Sequence, residues 1–289
     1  MHYIEAKSIL SPQNGMNIYR GCVHGCIYCD SRSSCYNFDH PFEDIGVKRN
    51  APQLLDSALR SKRKKCMIGT GSMCDPYMPI EHKTGLMREC LEVIDKHGFG
   101  AAVLTKSASV LRDTGLFCSI NEKAKCVVQM TLTTDDDELC RIIEPCVSVT
   151  SERFNALMKL KEAGIPTVVW LSPLLPFIND TEKNILGILE KCREAQVKGI
   201  VCFGMGLTLR DGNREYFYNA LDRHFPGLKQ KYIAVYGNSY EVSSPNERRL
   251  MAIFHEYCEK YSIIHDTEKC FGYLKELPEK YVQMSFFDT

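Results

Sequence analysis

The feature that most constrains this 289-residue chain is an alternation repeated along its first two hundred residues. Short apolar runs rich in β-branched residues are each followed by a turn and then an amphipathic stretch. The candidate strands are 17–19, 66–71, 100–105, 125–133, 167–172 and 199–205. Runs such as AAVLT, CVVQMTL and TVVWL are nearly continuous in apolar character, which suits parallel strands covered on both faces rather than a half-wet antiparallel sheet. Helical patterns lie between them. The stretch 51–64 carries Pro52 in its first turn, and 84–97 stops at Gly98, a residue that closes helices in the left-handed conformation. Further helices are predicted over 151–163 and 180–196. Six βα-like units predict an α/β fold, a partial TIM-like (βα)6 barrel over 1–206, with a doubly wound open sheet as the alternative. Beyond Met205 the pattern becomes mostly helical (213–224 and 245–261). This predicts a C-terminal cap over 207–280, followed by a tail peptide, 281–289.

Charge narrows the function classes. Thirty-six basic residues balance thirty-six acidic ones, so no global positive field draws in nucleic acid, and such binding would need a local patch. The densest basic run, Ser61–Lys65, trails a helix, where solvated lysines and a phosphate contact both remain open readings. No apolar run approaches the roughly 20 residues of a membrane-crossing helix. The start, MHYIEAKSIL, lacks the charged-then-apolar plan of a secretory leader, so a cytoplasmic location is expected. Fifteen cysteines, an odd number, then read as reduced thiols rather than a disulfide framework.

Three of those cysteines are clustered. Cys22, Cys26 and Cys29 follow the first candidate strand in GCVHGCIYC, a C-x3-C-x2-C spacing on a glycine-containing loop. Three thiolates this close can converge on one metal centre. A cubane iron–sulfur cluster normally takes four, so three leave an iron open for a ligand. On spacing alone a zinc knot completed by His24 or Cys35 is also open. The other cysteines stand singly in strand or helix patterns and read as small buried hydrophobes.

With Tyr28 before the third cysteine, the triad resembles the radical SAM superfamily. The segments NIYRGCVHGCIYCD, IGTGSMCDPYMPIE, VLTKSASVLRD, MTLTTDDDELCRIIEP and AGIP–SPLLPFIND resemble, in order, its spore-photoproduct-lyase-like branch. The resemblance implies a 4Fe–4S cluster on Cys22, Cys26 and Cys29, with S-adenosylmethionine (SAM) on the open iron. One-electron reduction, from a flavodoxin or ferredoxin type of donor, would cleave SAM to a hydrogen-abstracting 5′-deoxyadenosyl radical. It further implies SAM contacts at Tyr28, at Gly69, Thr70, Gly71 and Ser72, at Lys106 and at Thr131. Cys74 falls near the position of the namesake lyase's hydrogen-returning cysteine. A glycine turn that serves only packing, a solvated lysine and an ordinary strand threonine are the plainer readings of these positions.

The substrate side is less marked. Arg210, Arg214, Arg248 and Arg249, with Tyr216, Tyr218, Tyr236 and Tyr240, supply basic and aromatic material that fits either a nucleic-acid surface or a helical core with charged rims. The tail from Gln283 to Phe287 resembles the short peptide by which bacterial repair proteins dock on the DNA sliding clamp. The expected function is therefore radical SAM chemistry on a nucleic-acid lesion or modified base, of lyase or repair type. RNA, a peptide or a small metabolite is an alternative substrate. A metal-stabilised, non-enzymatic DNA-binding module is the reading from another class.

Overall fold

The computed structural model describes residues 1–278, an α/β arrangement built on three sheets. The strands are β1 (His2–Ile4), β2 (Gly15–Met16), β3 (Tyr19–Arg20), β4 (Gly46–Lys48), β5 (Met67–Thr70), β6 (Gly100–Thr105), β7 (Cys126–Thr131), β8 (Thr167–Trp170), β9 (Gly199–Val201), β10 (Gly206–Thr208) and β11 (Glu241–Ser243). The helices are α1 (Ala51–Ser61), α2 (Glu81–Thr84), α3 (Leu86–Lys96), α4 (Thr114–Lys123), α5 (Asp137–Ile143), α6 (Thr150–Glu162), α7 (Glu182–Glu194), α8 (Asn213–His224), α9 (Leu228–Tyr236), α10 (Glu247–Lys260) and α11 (Thr267–Lys275).

The central sheet has six parallel strands in the order β2-β5-β6-β7-β8-β9. Strands are added in sequence order from one edge to the other. The reversal of order that defines a doubly wound sheet is absent, so that alternative fails. β7 is buried at every residue, as expected of a parallel strand covered on both faces. The helix boundaries follow the predicted caps: Pro52 lies in the first turn of α1, and Gly98 follows α3 at φ 62°.

Two parts differ from the sequence expectation. The first sheet strand is Gly15–Met16, two residues earlier than predicted. Tyr19–Arg20 belongs to a separate small sheet, β1-β4-β3, in which β1 pairs β4 in parallel. Strands of two or three residues leave no readable periodicity, which is why that sheet was missed. The C-terminal part is mostly helical, as expected, but it also holds an unforeseen antiparallel pair, β10 and β11, in which Leu207 faces Val242. A single buried apolar cluster joins Cys26, Ile27 and Tyr28 to Leu207, Phe217, Tyr232 and Val242, so this part packs directly against the cysteine loop. Among the described residues no helix is long and apolar enough to cross a membrane. The clamp-like segment Gln283–Phe287 lies outside the described residues.

Candidate active site

A cavity of about 760 Å³ opens at the C-terminal ends of the parallel strands. Loops at strand ends carry binding groups in α/β folds of this kind. Cys22, Cys26 and Cys29 line it, together with Tyr28, Gly71, Ser72, Cys74, Lys106 and Thr131. These come from the loop after β3 and from the ends of β5, β6 and β7. Gly69 and Thr70 are not in the wall. They are paired strand residues, Gly69 opposite Gly15 and Ala102, and Thr70 opposite Met16 and Val103.

The cysteine loop owes its path to two glycines. Gly21 (φ 89°) would bring a Cβ to 2.4 Å from the Phe42 carbonyl oxygen, and Gly25 (φ 70°) packs on Pro145. The loop is tied to a segment far along the chain. Ile27 N–H donates to the Ile143 carbonyl (2.9 Å), Cys146 N–H donates to the His24 carbonyl (3.0 Å), and His24 Nδ1–H donates to the Cys146 carbonyl (2.9 Å). Tyr28 donates its hydroxyl proton to the Glu144 carboxylate, which is paired on its other side with Arg153. Both members of that ion pair are fully buried. Arg153 Nη1 also donates to the Thr131 carbonyl, and its Nε to that of Ser148, both at 2.7 Å. Sequence reading missed this network, because an Arg on an amphipathic helix looks like a solvated charge until packing is known.

Asp75 is the second organising group. Its Oδ1 accepts from the Thr105 hydroxyl (2.7 Å) and from Tyr77 N–H (2.8 Å), and its Oδ2 accepts from Lys106 N–H (2.7 Å). Oδ2 also lies 3.4 Å from His24 Nε2, a buried nitrogen with no hydrogen-bond partner. One carboxylate thus joins the end of β6 to the cysteine loop.

Electrostatics mark the same place. Burial pushes the Cys22 thiol up to about 12 and the Cys26 thiol well above its ordinary value, against the pull of Lys106. These protons must leave if the sulfurs are to ligate a metal. Burial works against the charge of Lys106. Even so, the Cys26 sulfur, Glu144 and the Cys29 sulfur raise its pKa, so the ammonium persists beside the Tyr28 ring, 5.7 Å from its centroid. Glu144 would be raised by burial alone, yet Arg153, Lys106 and the Tyr28 hydrogen bond hold it below the usual carboxylate range.

The donor set fits an iron–sulfur cluster better than a structural zinc. A tetrahedral zinc needs four ligands on one ion, whereas three cysteine thiols line this cavity wall. A cubane instead spreads its thiolates over separate irons. Cys35, the proposed fourth zinc ligand, is exposed and sits 3.5 Å from Arg210. His24 donates through Nδ1, and its free Nε2 faces Asp75 Oδ2 at 3.4 Å. Beside the thiols, the backbone at Gly71 (φ 95°) leaves a cradle. A Cβ there would stand 1.9 Å from the Leu104 carbonyl oxygen.

The parallel α/β sheet brings three cysteines into its strand-end cavity, and sequence comparison identifies the class of protein. The family model described as the radical SAM superfamily matches residues 16–187; the chain belongs to that superfamily. It is 35% identical over 187 residues to an uncharacterized protein of Methanocaldococcus jannaschii, covering 62% of this chain and 69% of that one. It is 29% identical over 229 residues to an uncharacterized protein of Mycobacterium tuberculosis, covering 76% of this chain. The match spans 66% of that relative's length. Among solved structures, a cysteine-to-serine mutant of spore photoproduct lyase has a TM-score of 0.64 at 16% identity, covering 89% of this chain and 77% of that one. A cysteine-to-alanine mutant of the lyase with dinucleoside spore photoproduct has a TM-score of 0.65 at 14% identity, covering 90% and 78%. At such identities the likeness is one of fold.

Proposed function

We propose that this chain is a lyase-type radical SAM enzyme whose central sheet forms a partial (βα)6 barrel and whose substrate is a nucleic-acid lesion or modified base. The observation that carries this reading is the meeting of Cys22, Cys26 and Cys29 with Lys106, Gly71, Ser72 and Thr131 in one cavity. The three cysteines would hold a 4Fe–4S cluster. When bound, the cluster and SAM would supply one-electron chemistry that yields a hydrogen-abstracting radical.

The chain's own residues do the rest. Lys106 offers a positive charge to the SAM carboxylate. Gly71 and Ser72 let the backbone approach the methionine part, and Thr131 adds a hydroxyl at the end of β7. Tyr28, fixed by Glu144, sets the orientation of the loop that carries Cys29. The strand-end walls and the β10–β11 pair bound the cavity around the reacting atoms. Cys74 is the remaining thiol in the wall among the described residues. Burial pushes it up to about 12, so it stays an S–H group, the form that returns a hydrogen atom to a substrate radical. A flavodoxin or ferredoxin type of protein would deliver the electron. A lyase of similar fold was solved with dinucleoside spore photoproduct, which supports a nucleic-acid lesion as the substrate here.

Anaerobic reconstitution with iron and sulfide, followed by dithionite and SAM, tests the reading. Cluster-dependent 5′-deoxyadenosine, stimulated by ultraviolet-irradiated DNA, is expected. Formation without any DNA effect would move the substrate to RNA, a peptide or a metabolite. Stoichiometric zinc without iron or sulfide would overturn the enzyme reading.

A further inference from the structure

The cavity wall opposite the cysteines carries an aromatic group that the chemistry described so far does not use. Phe203, just after β9, lines the cavity and is 59% exposed. Two other rings hold it. Phe271 stacks on it with centroids 6.2 Å apart, and Trp170 meets it edge-on at 5.8 Å. Trp170 also meets Phe271 edge-on at 5.9 Å and is fixed through Nε1–H to Gln129 Oε1 at 2.9 Å. A phenylalanine that only fills a core would not stand this open. A ring kept open but immobilised on two sides offers its free surface to another planar group at little cost in side-chain entropy.

Beside it, Gly204 takes φ 112°, and a Cβ there would lie 2.8 Å from Glu247 Oε1. Glu247 begins α10 and lines the same cavity. Its carboxylate accepts a long bond from Met205 N–H (3.4 Å), and among the described residues no cation pairs with it. Glu241 lies on this wall as well. Two carboxylates repel a phosphodiester and favour hydrogen-bond donors.

We propose that Phe203, held by Trp170 and Phe271, is the stacking platform for the substrate's nucleobase, and that Glu247 accepts a hydrogen bond from an exocyclic amino group of that base. The ring engaged is then adenine, cytosine or guanine rather than thymine. Thymine flanks its one ring N–H with carbonyl oxygens that would face the carboxylate. The inference deepens the nucleic-acid reading above and rests on it.

The chain has one tryptophan, so its fluorescence reports on this wall alone. The cluster-loaded, oxidised protein is saturated with SAM, filling SAM's own adenine site, and titrated with adenosine, cytidine and thymidine. A saturable change is expected with the first two, and about tenfold weaker binding of thymidine. Glu247→Gln should bring adenosine and cytidine down to the thymidine level. Phe203→Ala should lose roughly five- to a hundredfold in affinity for every ring, while Phe203→Tyr keeps it; unchanged iron content certifies the fold of each variant. Equal binding of thymidine, no saturable change, or a change abolished by SAM would each overturn the proposal. The titration needs no turnover. A missing response with SAM cleavage intact sinks this inference alone, whereas a response without SAM cleavage sinks the radical reading.

Discussion

Arg153 and Glu144 form a fully buried ion pair directly beneath the cysteine loop, and Tyr28 donates to the same carboxylate. Removing one member of such a pair leaves an uncompensated charge in the interior. Arg153→Met is therefore expected to cost about 3–5 kcal/mol of stability, read as a lower urea midpoint. Replacing both residues by apolar ones should recover much of the loss, because the isolated charge is then gone. An unchanged midpoint in the single variant would show that the pair is not carrying the loop.

The same pair sets an acid limit. Burial raises the Glu144 pKa, but Arg153, Lys106 and the Tyr28 hydrogen bond together outweigh it and leave it depressed in the folded chain. Its stabilisation is fully present above the unfolded glutamate value of about 4.3 and is lost as pH falls through the lower folded value. The stability gap between wild type and Glu144→Gln should stay constant near neutral pH and shrink below about pH 4. Urea midpoints measured across that range provide the check.

Lys106 is expected to act on SAM rather than on the cluster. Lys106→Ala should keep the iron content and the visible cluster absorbance while raising KM for SAM about tenfold or more, through loss of a charged hydrogen bond. Cys26→Ala should instead lose both the absorbance and SAM cleavage. If Lys106→Ala binds SAM normally, the ammonium serves only the loop.

Cys74 donates its S–H to the Tyr19 carbonyl at 3.1 Å and borders the cavity. Cys74→Ala should leave 5′-deoxyadenosine formation largely intact while changing the products formed from the substrate radical. Product analysis by mass spectrometry in deuterated buffer would show it, and an unaltered product distribution would retire Cys74 as the hydrogen donor.

Gly71 is one of the glycines in the cavity wall that the fold cannot exchange. Its φ of 95° and the 1.9 Å approach of a Cβ to the Leu104 carbonyl mean that Gly71→Ala must shift β5 from β6. A loss of about 1–3 kcal/mol from backbone strain is expected, with weaker SAM binding. Thermal melting and SAM titration together would detect it. Gly69→Ala, with nothing within 4 Å of the added carbon, is the matched control.

Much of this was legible in the residues. The triad spacing and the unbroken apolar runs of β6, β7 and β8 announce a parallel sheet with a thiol-bearing loop, because burial on both faces leaves no polar alternation. Gly69–Ser72 lies at the end of β5, but its first half is inside the strand: pairing continues through Thr70, and a strand's last residue is not written in its composition. The β10–β11 pair was hidden because its three-residue strands are separated by α8 and α9. Arg153 and Glu144 were hidden for a different reason. A buried charge pair is spelled with the same letters as a surface one, and only the packing of α5 and α6 around the loop tells them apart.

The bonds between His24 and Cys146, which span 122 positions, bear on how the protein matures. The cysteine loop cannot take its final shape while the chain is still emerging from the ribosome short of α6. Iron and sulfide delivered earlier would meet three loosely arranged thiols without the Glu144–Arg153 support. A cluster built on these thiols would gain that support only once somewhat more than the first half of the chain has been made.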